Sequence, residues 1–83
     1  MPAELRGAPP AAGLAPHQQR MVDERTALAD RAAKLDEFIT GDRFSALGRP
    51  DKMLLLRQHA AMTWYLETLD HRIARFGQPG SAA

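Results

Sequence analysis

The chain has 83 residues, no cysteine, and a formal net charge of +1 from 11 Lys and Arg against 10 Asp and Glu. This length allows one domain with a modest core, burying roughly 60% of the surface its unfolded form exposes, and the lack of cysteine excludes disulfides and thiolate metal sites and suits a reducing compartment such as the cytoplasm. The charge is too balanced for a sequence-independent binder of duplex DNA, no apolar run approaches a membrane span, and the N-terminus lacks the charged start and apolar centre of a signal peptide, so the chain reads as soluble and intracellular.

Residues 1–15, "MPAELRGAPPAAGLA", carry three prolines and two glycines without sustained periodicity. They predict an irregular N-terminal arm, with Leu5 and Leu14 as anchors if it orders against a partner. Pro16 sits where proline suits the opening of a helix, and no Gly or Pro follows until after Ile39. Met21, Leu28, Ala32, Leu35 and Ile39 step by seven, four, three and four, which places them on one stripe of an amphipathic helix. Gly41 is the expected C-cap. "DRFSALGRP" is then a connector with one turn of helix that drops Phe44 and Leu47 back onto the core.

Pro50 and Asp51 open a second long helix, where the acidic side chain suits the positive end of the dipole. It runs to about Phe76, and residues 77–83, "GQPGSAA", form a frayed tail. Its main stripe is Leu55, Met62, Leu66, Leu69, Ile73 and Phe76. A short connector between two such helices predicts an all-α antiparallel hairpin domain over residues 16–76. That hairpin buries one stripe per helix. Leu54, Ala61 and Tyr65 lie on a shoulder of the second helix, and Met53, Ala60 and Trp64 lie near the face opposite its main stripe. A helix apolar nearly all round is normally buried all round, so Met53, Ala60 and Trp64 are the expected interface of a homo-oligomer.

No catalytic or metal constellation is legible. His17, His59 and His71 make neither an "HExxH" nor an i, i+4 pair, glycines do not cluster into a phosphate loop, and no cofactor is expected. His59, beside the core stripe, reads as interfacial or capped. The chain therefore points to binding rather than to an enzyme. Arg20, Arg31 and Lys34 follow one flank of the first helix, Arg25 lies on its other flank, and Tyr65 and Arg72 share a shoulder of the second. Guanidinium groups offer paired donors to phosphate oxygens, and a Tyr or His ring offers a surface on which a base can stack. The same arginines could equally cover apolar surface with their stems and pair with Asp23, Glu24 or Asp30.

"PHQQRMVDERTALADRAAKLDEFI" and "LLLRQHAAMTWYLETLDHRI" resemble the small phage proteins with the pattern P-H-x-x-R-V-x-x-E-K, then L-x-x-K-x-x-K-L-x-x-F-I, then L-x-x-Q-x-x-A-M-x-x-Y-x-x-x-L-x-x-R-I. The resemblance covers residues 16–73. These proteins include the anti-CBASS sponges, which sequester cyclic oligonucleotide signals of bacterial antiphage defence. The resemblance implies a homohexamer of helical hairpins in the host bacterial cytoplasm, holding cyclic dinucleotides, and in some members cyclic trinucleotides, in pockets between subunits without catalysis. It also implies that a first-helix lysine contacts phosphate and that an N-terminal aromatic ring stacks on the ligand. Arg25 stands at the lysine position; residues 1–16 contain no aromatic residue or histidine, and His17 is the nearest ring. The expected ligand-binding residues are His17, Arg20, Arg25, Arg31, Tyr65 and Arg72. An alternative of a different class is a small phage inhibitor or adaptor that binds a host defence protein through the Met53 and Trp64 face, with Arg57 beside it.

Overall fold

A computed structural model of the chain describes residues 13–78 and Gly80. Leu5, most of the expected N-terminal arm and the end of the expected tail lie outside the described residues. Three helices follow in order: α1 at Pro16–Ile39, α2 at Asp42–Ser45 and α3 at Arg49–Ala74. The described residues are all-helical, two long helices joined by a short one.

α1 starts where proline placement predicts. Pro16 occupies a first-turn position whose missing N–H costs no intrahelical bond. Ala15 caps it with extended backbone and no side-chain oxygen. Gln18 supplies the reciprocal half of a capping box by accepting the Ala15 N–H at 2.9 Å.

The other end differs from expectation. Gly41 has φ −103°, outside the left-handed region, and caps the start of α2 instead. Thr40 is the C-cap: its N–H donates to the Asp36 carbonyl, and its hydroxyl donates to the Asp36 and Glu37 carbonyls at 3.1 Å. A hydroxyl thus satisfies the orphan carbonyls that a left-handed glycine would otherwise have helped to close.

The connector is tied to both long helices through one ring. Phe44 of α2 meets the Phe38 ring edge-on at 6.4 Å, and the Lys52 ammonium of α3 stands 5.9 Å from the Phe44 centroid. Both arrangements suit the ring quadrupole, whose face is negative and whose edge is positive. α3 begins at Arg49, a residue before the proline expected to open it, and ends at Ala74, two residues before Phe76. Asp51 in its first turn and His71 and Arg72 in its last complement the dipole.

Two side-chain pairs fix the direction and register of α3 against α1. Arg25 meets Asp70; eleven residues further along α1, Asp36 meets His59, eleven residues earlier in α3. The long helices are therefore antiparallel, and their stripes face each other as the spacing predicts. Among the described residues Met21, Leu28, Ala32 and Leu69 are buried. Met62, Leu66, Ile73 and Phe76 are half-buried against them. Leu69 is 1% exposed, the most buried of all.

Leu69→Ala should therefore lower unfolding free energy by about 2–5 kcal/mol through lost transfer energy and an unfilled cavity. Urea denaturation followed by far-UV circular dichroism checks this, against Leu54→Ala, whose exposed side chain leaves no cavity in the single chain.

Candidate functional site

The α1–α3 contact has two flanks with different chemistry. On one, Arg25 forms a side-on fork with Asp70, Nε to Oδ1 at 2.8 Å and Nη2 to Oδ2 at 3.3 Å. His59 Nε2 lies 3.5 Å from Asp36 Oδ1 on the same flank. Arg25 lowers the Asp70 pKa, mainly through the hydrogen bond, while partial burial pulls it the other way. Asp70 in turn raises that of Arg25, again mainly through the hydrogen bond. Both side chains remain well exposed, so the pair specifies register more than it adds stability.

On the opposite flank the Tyr65 hydroxyl donates to Glu24 Oε2 across the helix pair. This hydrogen bond raises the tyrosine pKa, with partial burial and the Glu24 charge adding to it and the Arg72 charge opposing it. The phenol is held neutral, as a donor. Glu24 also marks which side of α1 this is. His17 stands seven residues before it, Arg20 four before and Arg31 seven after, all spacings that return to the same side of a helix. Arg72 follows Tyr65 by seven on α3. The antiparallel register sets Arg20 and Arg72 at one level near the start of α1.

Five of the six expected ligand-binding residues, His17, Arg20, Arg31, Tyr65 and Arg72, thus share a flank that draws on both helices. Arg25 lies across the hairpin, on the other one. Of the basic residues on α1, Lys34 pairs with Asp30 at 3.1 Å and Arg25 with Asp70, whereas Arg20 and Arg31 make no ion pair among the described residues. The flank can therefore offer free guanidinium donors and an aromatic ring to an anion with a base attached.

Met53, Ala60 and Trp64 are exposed in the single chain, Trp64 at 75%. Leu54 and Leu56 are exposed as well. Leu56 lies outside every face assigned from spacing, although a helical wheel places it about 100° from the main stripe. Asp70 was likewise not singled out in the sequence. Its signal was the hairpin register, which brings it level with Arg25 once the two core stripes face each other.

The family model described as Sequestin matches residues 15–75, more than half of the chain. No curated protein and no solved structure matches.

The depressed Asp70 pKa sets a pH dependence. A carboxylate whose folded pKa lies below its unfolded value contributes stability that is complete above the unfolded pKa and is lost as pH falls through the folded one. Thermal unfolding should show this loss below about pH 4, and Asp70→Asn should flatten that part of the profile while lowering the melting temperature slightly at pH 7.

Proposed function

This chain belongs to the Sequestin family, and from that membership we propose that it captures cyclic oligonucleotide second messengers, cyclic dinucleotides and cyclic trinucleotides, without catalysis. The family name denotes sequestration, and retention of a messenger away from its effector needs affinity alone. In this reading the chain is a phage counter-defence protein acting in the host bacterial cytoplasm. The pockets lie between subunits of a homo-oligomer, a hexamer by resemblance.

The observation that carries the ligand class is the shared flank. Arg20, Arg31 and Arg72 supply planar donors for phosphodiester oxygens, and Tyr65 and His17 supply rings on which bases stack, worth about 1–3 kcal/mol per base in aromatic sites. The flank is the outer side of a two-helix hairpin and is open to water. A second subunit laid over it would desolvate these groups and raise the strength of each contact. Arg25, on the far flank, keeps its Nη1 free of the Asp70 fork and can reach a ligand held by a neighbour.

Assembly follows from the apolar residues that the hairpin leaves exposed. Met53, Ala60 and Trp64, with Leu56 beside them, form an apolar surface on α3 that a second copy would cover. The exposure of Trp64 also favours a second reading, an inhibitor or adaptor that places this tryptophan, with Arg57, into a host defence protein.

Isothermal calorimetry with a panel of cyclic di- and trinucleotides should give saturable binding, weakened tenfold or more by Arg72→Ala. No heat from any of them, with protein shown to be folded, overturns the sponge. Light scattering should give an oligomer with Trp64 fluorescence shielded from quencher, and Trp64→Glu should reduce it to smaller species. A monomer with fully quenchable Trp64 would support the adaptor.

A further inference from the structure

The Glu24–Tyr65 hydrogen bond places a carboxylate within a flank that is otherwise cationic. Arg20 stands one turn before Glu24 and Arg31 two turns after it, while Arg72, two turns beyond Tyr65 on α3, is close enough for its charge to act on that tyrosine. Neither Arg20 nor Arg31 is ion-paired among the described residues, so Glu24 is not consumed as their counter-ion. Tyr65 holds it from the opposite helix instead.

Resting on the cyclic-nucleotide reading above, we propose that Glu24 is a charge filter: its carboxylate, held by Tyr65, lets the flank accept phosphodiesters and reject terminal phosphate monoesters. The two groups differ in charge. A phosphodiester carries one negative charge, whereas a terminal monoester carries about −1.5 to −2 at pH 7, with its second pKa near 6. A cyclic oligonucleotide contains diesters only. Mononucleotides, nucleoside triphosphates and 5′-phosphorylated linear oligonucleotides all carry terminal phosphates.

Three arginines on their own would favour the more highly charged ligand. The flank would then bind ordinary nucleotides, and little of it would remain free for a scarce messenger. A fixed carboxylate among the arginines works against that order wherever the extra charge falls beside it, because like charges a few ångströms apart repel strongly once water is partly excluded. The diester's single charge is met by the arginines, while the monoester's extra charge falls against Glu24. Specificity here comes from a repulsive element beside attractive ones.

Glu24→Gln tests this, since the amide oxygen still accepts the Tyr65 hydroxyl and only the charge is removed. The probes are the cyclic dinucleotide that binds most tightly in the calorimetric panel and the linear 5′-phosphorylated dinucleotide of the same bases. The natural chain should prefer the cyclic form by tenfold or more. Glu24→Gln should narrow that ratio at least tenfold, through a gain by the linear form, with helicity retained by circular dichroism. In the natural chain alone, the preference should sharpen as pH rises through about 6, where the terminal phosphate takes its second charge. Cyclic binding with a ratio that Glu24→Gln leaves unchanged overturns the filter and leaves the sponge standing; no binding of any cyclic nucleotide overturns both.

Discussion

Two antiparallel helices can bury only one stripe each, and the rest of this structure depends on that constraint. Met21, Leu28, Ala32 and Leu69 are buried, and a further set is half-buried around them. Several large apolar residues of α3 nevertheless face outward, Met53, Leu54, Leu56 and Trp64 among them. A helix with this composition is suited to burial on more than one side. The surplus apolar surface follows directly from the small number of elements among the described residues, which form a hairpin without a third layer.

The same geometry divides polar function between the two flanks of the helix contact. One flank carries two side-chain pairs, Arg25 with Asp70 and Asp36 with His59, which set the register. The other joins Glu24 to Tyr65 and collects arginines around them. A shift of α3 by a residue would separate both pairs and turn Leu69 out of the core, so register, packing and the placement of the arginines hold together. The Phe38, Phe44 and Lys52 contacts restrain the connector at the far end of the hairpin.

Membership in the Sequestin family joins these features to a role that needs no catalytic group. Sequestration of a molecule rests on affinity and discrimination, and both are surface properties. In the proposed reading, arginines and an aromatic ring would give attraction, and a carboxylate among them selectivity by charge. The proposed assembly would supply the enclosure that a convex helical surface lacks.

Periodicity alone determined the two long helices and which stripe of each is turned inward, because a 3.6-residue repeat projects Met21, Leu28 and Ala32, or Met62, Leu66 and Leu69, onto one stripe whatever the chain packs against. Pro16 marked the start of α1 in the same local way. The exit of α1 was decided by hydrogen bonding instead: the Thr40 hydroxyl reached the last carbonyls, and Gly41 was left free to cap α2. Spacing also put Arg20 and Arg31 on one flank of α1, and Tyr65 with Arg72 on one shoulder of α3. That these meet, while Arg25 turns away to Asp70, was decided only when the helices docked. The handedness and register of an antiparallel pair are properties of two surfaces together, and no repeat within either helix contains them.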